Sequence, residues 1–451
     1  MKYLVNGSLK QAIHELLASG NDQNLMEFLH ELQPFDIATL LPEFEEPEQL
    51  KILSLTEPEI AAESLEHLNH DDQYRLLDHL PEHIARDILA RMSDDAVADL
   101  VLAIHPRQAQ EILRRVPKED LAGIRLLMTY PDDSAGGIMS LDYIAVREDW
   151  SVSRVINHFR KVGSKATVTN YVYVVDPQGR LAGVTSLKEV LLSDPNTLVS
   201  DIMYTKVVSV PVDAHQEEAA KLLSRYDFVA LPVTEDDGRL VGVIAVDDIL
   251  DVIEEEDTED IHKLGGSQPL DEPYMNSSLF ELVRKRMGWL LMLFIAEGLT
   301  GNILKSYEDV LAQVVALTFF IPLLTDTGGN SGSQASTMVI RAMALGEVTF
   351  KDVAKILWKE LRIGAMLGLI MGTAGFIFSW VIGGSQTVAL TVSVTLMFIL
   401  MLSSTLGAVL PLIGTKFGVD PAVFSAPLIT TIVDATGLLV YFAVASRILN
   451  L

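Results

Sequence analysis

The chain contains no cysteine among its 451 residues. It therefore has no disulfide framework, no thiolate metal site and no cysteine nucleophile. Bases are also scarce, since 34 Lys and Arg stand against 61 Asp and Glu, a formal charge of −27. Such a charge repels a phosphate backbone, so we expect no nucleic-acid partner. Neither a nucleophile–base pair nor a phosphate-binding loop is recognisable, and we predict that the protein is not an enzyme.

The acidic and the apolar residues occupy different parts of the chain. Residues 1–281 hold 52 acids and 23 bases, a net −29, whereas residues 282–451 hold 9 acids and 11 bases, a net +2. This asymmetry predicts a soluble acidic region followed by a membrane domain at 284–451. The N-terminus lacks the apolar core of a signal peptide, so we expect the acidic region to remain in the cytosol.

A repeat of about twelve residues runs through residues 33–128. Each turn-like starter is followed by polar residues and then by an apolar pair, a pattern that predicts short capped helices stacked on one another. The sequence therefore predicts an all-α, solenoid-like N-domain over residues 1–132, with an irregular helical bundle as the alternative. The starters are Asn69, Pro81, Ser93, His105 and Pro117.

A second repeat covers residues 138–263. The pair Ile-Met at 138–139 recurs at 202–203, and Gly-Arg-Leu-Ala-Gly-Val at 179–184 recurs as Gly-Arg-Leu-Val-Gly-Val at 238–243. With the β-branched runs between them, these marks resemble a tandem pair of α/β cystathionine-β-synthase (CBS) domains. The resemblance implies strand–helix–strand–strand–helix units at 133–200 and 201–250.

CBS pairs commonly bind adenine nucleotides through a Ser or Thr and an acid near the last strand. The resemblance implies such a site in the first copy, with Ser186 and Glu189 as ribose ligands and Tyr171 as a stacking ring. The second copy has Ala245 at the Ser/Thr position and departs from the pattern. We therefore expect one regulatory ATP per chain, with ordinary strand-end polar residues as the alternative.

Residues 247–260 are dominated by carboxylates and precede a linker, so we predict an acidic connecting helix and linker over 251–283. No base follows until Lys263, which leaves the segment without neighbouring positive charges. Carboxylate ligands without cysteine favour Mg²⁺ or Ca²⁺ over zinc, so we predict that this segment binds a divalent cation. The segment lacks a calcium-binding loop of the EF-hand type, which makes Ca²⁺ the less favoured of the two. The alternative is a solvated helix face. Pairs on one helix side are Asp248 with Asp251, Glu255 with Glu259, and Glu256 with Asp260.

Five apolar stretches are long enough to cross a bilayer, which requires about 20 residues. Nine bases flank the ends that face the cytosol if the N-terminus is inside, so we expect an external C-terminus in a multi-pass protein of the cell membrane. The predicted spans are 287–304, 311–338, 361–383, 387–413 and 424–446.

Two features inside the predicted spans do not resemble core packing. Asp434 lies at the centre of the fifth span, where an unpaired carboxylate costs about 2.5–3.5 kcal/mol and is normally functional. Residues 322–337 are rich in glycine and hydroxyl groups, which predicts irregular backbone lining a cavity. The backbone carbonyls of this segment and the side chain of Asn330 would face hydrated cations.

These motifs together resemble the MgtE family of magnesium transporters. The resemblance rests on Pro322, on Gly-Gly-Asn-x-Gly-x-Gln at 328–334, on Pro421 and on Asp-x-Thr-Gly at 434–437. It covers nearly the whole chain and implies a homodimeric, Mg²⁺-selective channel whose cytosolic domains close it when they bind Mg²⁺.

The family's functional positions can be transferred by motif. Asp434 corresponds to the pore carboxylate and Asp420 to an acid near the inner pore end. His215 stands where an acid is usual, which weakens the site containing Glu217. The implied sensor positions are Glu217, Asp227, Asp248, Asp251, Glu256, Glu259 and Asp260, with Asp95 and Asp99 from the N-domain.

Two other functions fit the same sequence. In an ion-coupled secondary transporter of divalent cations, Asp434 would carry a proton. In a membrane-anchored adenine-nucleotide sensor there would be no pore, and the polar fifth span would lack an explanation.

Overall fold

The computed structural model describes residues 2–163, 166–270, 274–275, 277–383 and 385–450. It divides into two compact units, residues 1–253 and residues 254–451.

The first unit begins with a series of α-helices joined by short turns. Helices two positions apart in the chain pack together, so that the third contacts the fifth and the sixth contacts the eighth. The way in which this stack winds stays a prediction. The helices are α1 (Lys2–Ser19), α2 (Asp22–His30), α3 (Pro34–Leu40), α4 (Glu46–Leu55), α5 (Pro58–Glu66), α6 (His70–His79), α7 (Glu82–Leu89), α8 (Asp94–Ala103), α9 (Pro106–Arg115) and α10 (Leu121–Leu127).

The predicted twelve-residue repeat is confirmed at the helix N-termini. The side chains of Asn69, Ser93 and His105 each accept a hydrogen bond from a backbone N–H in the first turn of the following helix. Pro81 is the N-cap residue of α7. The fifth starter was wrong by three residues, because a turn follows Pro117 and the last helix begins only after it.

Two strand–helix–strand–strand–helix units follow, as the sequence predicts. In each three-stranded sheet the middle strand pairs parallel with the first and antiparallel with the last. The first CBS copy comprises β1 (Ala145–Arg147), α11 (Val152–Val162), β2 (Tyr171–Val175), β3 (Leu181–Ser186) and α12 (Leu187–Leu192). The second CBS copy follows α13 (Val199–Ile202) and comprises β4 (Val210–Pro211), α14 (Gln216–Tyr226), β5 (Ala230–Thr234), β6 (Leu240–Ala245) and α15 (Val246–Leu264).

One reciprocal contact explains both sequence marks of the second repeat. The backbone next to each Ile-Met pair hydrogen-bonds with the last strand of the other copy. A Cβ on Gly242 would lie 2.5 Å from Met139 Sδ, and a Cβ on Gly183 would lie 2.8 Å from Met203 Sδ. Glycine is therefore needed at both positions because the methionine of the opposite copy packs against it.

The second unit consists of long helices. After the end of α15 they are α16 (Leu279–Ser306), α17 (Glu308–Gln313), α18 (Ile321–Ala344), α19 (Val353–Gly383), α20 (Gln386–Lys416) and α21 (Ala426–Leu449). Short 3₁₀ helices at Val315–Phe320, Phe350–Asp352 and Pro421–Val423 lead into α18, α19 and α21.

Four helices of the described chain are long and apolar enough to cross a membrane, namely α16, α19 with its preceding turn, α20 and α21. Large apolar side chains such as Phe294, Ile370 and Phe398 are exposed along them, which suits a lipid-facing surface. The more polar α18 packs against α20 and α21.

The predicted irregular backbone over 322–337 is wrong, because this segment lies within α18. Its glycines allow close helix packing instead. A Cβ on Gly328 would lie 2.6 Å from Ile399 Cγ2, and a Cβ on Gly332 would lie 2.9 Å from Ile429 Cγ2. The backbone carbonyls are therefore engaged within a helix, and in the span expected at 311–338 the long continuous helix begins only at Ile321.

Candidate cation sites and a nucleotide cleft

Asp434 lies two turns into α21, on a helix that packs against α16, α18 and α20. Its Oδ1 atom is shielded from solvent and has no hydrogen-bond partner among the described residues. The charged groups that act on it most strongly are the carboxylates of Glu297 on α16 and Asp326 on α18. Three helices thus present acids to one another, an arrangement that suits a cation.

One face of α18 extends this polar surface. Asn330 Nδ2 donates a hydrogen bond to Asp326 Oδ2 at 3.2 Å, and both side chains are exposed. Gln334, one turn further along, is exposed as well. Asn330 therefore lies on the open side of α18, as expected of a residue that meets hydrated ions, although its backbone is helical.

Asp420 already has a cationic partner. Lys263 Nζ, near the end of α15, lies 2.6 Å from Asp420 Oδ2 and 2.5 Å from Glu259 Oε1. A second base, Arg341, lies 3.3 Å from Asp257 Oδ1. The expectation that the acidic helix lacks neighbouring bases was therefore wrong over its second half, because Arg341 is distant in sequence and Lys263 reaches back one turn.

The N-domain and the second CBS copy bring buried carboxylates together in the first unit. Asp95 is in the first turn of α8, and its Oδ1 atom is buried and has no hydrogen-bond partner in the part of the chain that the structure describes. Burial raises the pKa of Asp95, and burial followed by the charge of Asp95 raises the pKa of Asp248 to about 7. Asp142 and Asp247 add to the repulsion at Asp95. Such mutual repulsion would be relieved by a cation.

Glu66 is a member of this group that sequence reasoning missed. It ends α5 and accepts a hydrogen bond from Ser93 N at 2.8 Å. Burial raises its pKa to about 7, and Asp95 contributes. No local signal marks Glu66, because a polar residue at the end of an amphipathic helix is ordinary.

Of the remaining predicted sensor positions, Asp251 adds to the repulsion at Asp248, whereas Glu217 and Asp227 lie on or next to α14. Within the described ranges, no group of three or more His, Asp or Glu side chains is arranged to hold a metal ion directly. Glu217 Oε1 pairs with Lys221 Nζ at 2.6 Å, and Asp227 is the exposed residue that follows the end of α14, with φ 53°. Asp251 is exposed on α15. Asp99 on α8 and Glu256 and Asp260 on α15 likewise stay predictions.

An open cleft of about 90 Å³ lies between the two CBS copies. Tyr171 lines it, and Tyr171 pairs in register with Ser186 of the neighbouring strand. Ser186 and Glu189 form a capping box at the start of α12, with Ser186 Oγ 3.1 Å from Glu189 N. The three residues expected at a nucleotide site are therefore adjacent.

Sequence reasoning missed the rest of the lining of the cleft, which comes largely from the second copy, including residues 204–208. Its aromatic rings can stack on a base, and its lysine can meet phosphate. These residues are Tyr173, Val184, Tyr204, Lys206, Val207, Val208, Phe228, Ala230 and Pro232.

An acidic helical domain, a CBS pair and apolar helices that bring carboxylates together point to a membrane transporter of divalent cations. Residues 32–133 match the model of the MgtE intracellular N domain, residues 135–194 and 199–255 match the CBS domain, and residues 321–444 match MgtE, described as a divalent cation transporter.

The chain belongs to the MgtE family, whose members are transporters and not enzymes. It is 40% identical to the magnesium transporter MgtE of Thermus thermophilus over 447 residues, which covers 98% of this chain and 99% of that protein. It is 31% identical to the magnesium transporter MgtE of Bacillus subtilis over 435 residues, 96% of either chain.

A solved structure gives the same relationship for the acidic region. The cytosolic domain of the Mg²⁺ channel MgtE in complex with ATP is 39% identical, with a TM-score of 0.52, and the match covers 54% of this chain and 99% of that one.

Proposed function

We propose that this protein is a Mg²⁺ channel that admits the ion down its electrochemical gradient and closes when Mg²⁺ binds to its acidic domains. The observation that carries the proposal is the carboxylate of Asp434, whose Oδ1 atom has no hydrogen-bond partner among the described residues and which the charges of Glu297 and Asp326 repel. The names of two relatives that match nearly the full chain support Mg²⁺ as the transported ion.

The chemistry of Mg²⁺ explains why these acids need not form a tight ligand cage. The ion dehydrates reluctantly and usually keeps several waters. A hydrated ion requires a wide site whose carboxylates and amides accept hydrogen bonds from those waters. A homodimer whose axis lies beside α18 would supply two copies of Asp434, Asp326 and Asn330 around one ion.

We further propose five spans, formed by α16, α18, α19, α20 and α21, with the acidic region in the cytosol and the C-terminus outside. Although α18 is less apolar than the others, it can cross if its polar face lines a pore. The bases that flank the predicted spans support this orientation.

Closure follows from repulsion among the cytosolic acids. Two unit charges 4 Å apart cost about 4 kcal/mol at an effective dielectric of 20. Two observations support the N-domain and second CBS copy as the place of this repulsion, namely that Asp95 Oδ1 is buried with no hydrogen-bond partner among the described residues and that the pKa of Asp248 is raised. Mg²⁺ that binds the compact arrangement more tightly than the loosened one shifts the balance toward compact, closed protein.

The test is Mg²⁺ flux into liposomes that contain the purified protein. Asp434→Asn keeps the size of the side chain and removes its charge, so we expect at least a tenfold loss of flux with the fold intact. Asp309→Asn, at an exposed position on α17, is the matched control and should transport normally. Near-normal flux through folded Asp434→Asn protein would exclude the proposed role.

The ion-coupled transporter remains a rival that the same liposomes can separate. Flux through a channel follows the Mg²⁺ gradient alone and persists when proton and sodium gradients are collapsed. Flux that stops without such a gradient would instead identify Asp434 as a coupling residue.

We also propose that ATP is a regulatory ligand of the CBS cleft. The cleft's aromatic residues and Lys206, together with Ser186 and Glu189, support one nucleotide per chain. The ATP complex of a related cytosolic domain supports the same ligand.

A further inference from the structure

Two of the acids that sequence reasoning assigns to Mg²⁺ are joined by a cation that the chain itself provides. Lys263 Nζ lies 2.5 Å from Glu259 Oε1 and 2.6 Å from Asp420 Oδ2. Glu259 is one turn earlier on α15, whereas Asp420 is 157 positions away in sequence, just before α21. One ammonium group therefore bridges a carboxylate from each of two segments of the second unit.

Asp420 is held by both of its oxygens. While Oδ2 meets Lys263, Oδ1 accepts a hydrogen bond from Ala422 N at 2.9 Å and caps the 3₁₀ turn that leads into α21. All three charged side chains are at most 38% exposed, so solvent screens them less than a surface pair. Burial lowers the pKa of Lys263, but its bonds to Asp420 and Glu259 more than offset this and raise it.

A nonpolar contact lies beside this triad. Gly266, in the turn that follows the end of α15, has φ +70°, and its N–H donates to the carbonyl of Lys263 at 2.9 Å. A Cβ on Gly266 would lie 3.2 Å from Pro427 Cγ, at the start of α21. The end of α15 thus contacts the start of α21 through an ion triad and through close packing.

We propose that Lys263 is a resident cation that takes the place of a divalent ion between Glu259 and Asp420 and fastens the end of α15 to the start of α21 without bound metal. Glu259 and Asp420 are then not Mg²⁺ ligands while Lys263 is in place. Asp434 follows Pro427 by seven residues, about 10 Å along the helix. Where the proposed channel function holds, Lys263 is a positioning residue that keeps the end of α15 in contact with the start of α21, and Mg²⁺ acts on the earlier part of α15.

The absence of native cysteine makes the contact measurable in the full-length protein. A Cβ on Gly266 would lie 3.8 Å from Pro427 Cβ, the usual separation across a disulfide, about 3.8 Å. The pair Gly266→Cys and Pro427→Cys should therefore cross-link on mild oxidation, with no background thiols. Loss of thiols that react with a maleimide-linked polymer gives the rate. Gel filtration shows whether the pair, which places cysteine at a positive φ, still folds.

Three versions of this pair are compared, each with millimolar Mg²⁺ and with chelator. With Lys263 present, cross-linking should be equally fast in both conditions, and Lys263→Arg, which keeps the charge, should behave the same way. Lys263→Met keeps the apolar stem and removes the charge, so in chelator its rate should fall about fivefold, at the upper limit for a partly exposed pair. Mg²⁺ should then restore the rate by binding between the freed carboxylates.

Three results would overturn the proposal. The first is a Lys263→Met rate that is unchanged in chelator, and the second is a slow Lys263→Met rate that Mg²⁺ does not restore. The third is a requirement for Mg²⁺ even when Lys263 is present. Because the readout is a covalent bond and not ion flux, it stands apart from the test of channel function.

Discussion

In both CBS copies, an acid three residues beyond the last strand accepts a hydrogen bond from the backbone N–H of that strand's final residue. Glu189 Oε2 lies 3.2 Å from Ser186 N, and Asp248 Oδ2 lies 3.3 Å from Ala245 N. Glu189 is exposed near the cleft, whereas burial and the neighbouring Asp95 raise the pKa of Asp248 to about 7. The same local geometry therefore serves two kinds of chemistry.

The difference between the copies lies in what packs outside them. Helix α8 of the N-domain brings Asp95 to the second copy, and this crowding of like charges favours a cation. The first copy keeps a hydroxyl at Ser186, beside a cleft with aromatic lining, which favours a nucleotide. A duplicated unit thus acquires its ligand from its neighbours as much as from its own fold.

The largest effect should appear when the two acids are changed in turn and ATP binding is measured by calorimetry. Glu189→Ala removes an acceptor for the ribose hydroxyls, so we expect ATP binding at least tenfold weaker. Asp248→Asn, the equivalent position of the second copy, should leave it unchanged. Equal losses of ATP affinity from both changes, or no heat at millimolar ATP with the wild type, would exclude the proposed nucleotide site in the first copy.

A smaller effect should appear in the dependence of stability on pH without Mg²⁺. The folded-state pKa of Asp248 is raised above its unfolded value, so the folded protein binds more protons between about pH 4 and pH 7 and loses stability as the pH rises through that range. We expect hydrogen exchange in α8 and the start of α15 to be faster at pH 8 than at pH 6 after correction for intrinsic rates.

The difference should correspond to about 1 kcal/mol or more, since one pKa unit is equivalent to about 1.4 kcal/mol. Asp248→Asn should remove the share that Asp248 contributes, whereas Glu66, whose pKa is also raised to about 7, keeps its own share. Glu189→Gln in the first copy should leave the whole difference intact. A pH dependence of the same size in Asp248→Asn protein would show that the buried charge lies elsewhere.

The smallest effect concerns what the copies share. Gly183→Ala and Gly242→Ala each place a methyl group against the methionine of the other copy, and we expect a similar loss of about 1–3 kcal/mol from both, read from chemical denaturation. Gly298→Ala, in helix α16 with no neighbouring atom within 4 Å, is the control and should be neutral or stabilising. Markedly unequal losses would mean that the two reciprocal contacts are not equivalent.

The sequence predicted those features that local chemistry determines. Helix caps at Asn69 and Ser93 follow from side chains that satisfy the N–H groups next to them. The succession of strands and helices in each CBS copy follows from β-branched runs and turns together with the resemblance to CBS domains. Asp434 could be singled out because charge is rare within an apolar stretch, whatever surrounds it. Local chemistry also explains His215, since its Nδ1 atom accepts a hydrogen bond at the N-terminus of α14 as an acid would.

The features that sequence reasoning missed depend on long-range packing. Glu66 gains its raised pKa only when α5 and α8 meet, and Lys263 finds Asp420 across 157 positions. The glycines of α18 predicted a loop because their local propensity is poor, but helix packing against Ile399 and Ile429 overrides that propensity.

The central claim, a Mg²⁺ channel closed by Mg²⁺ at the acids of the N-domain and second CBS copy, is tested most directly by flux at two internal concentrations. Mg²⁺ uptake is measured into liposomes loaded with micromolar or with millimolar Mg²⁺, for the wild type and for Asp95→Asn with Asp248→Asn. We predict that millimolar internal Mg²⁺ shuts the wild type, while the double variant conducts similarly at both concentrations. A double variant that closes at the same internal Mg²⁺ as the wild type would contradict the account.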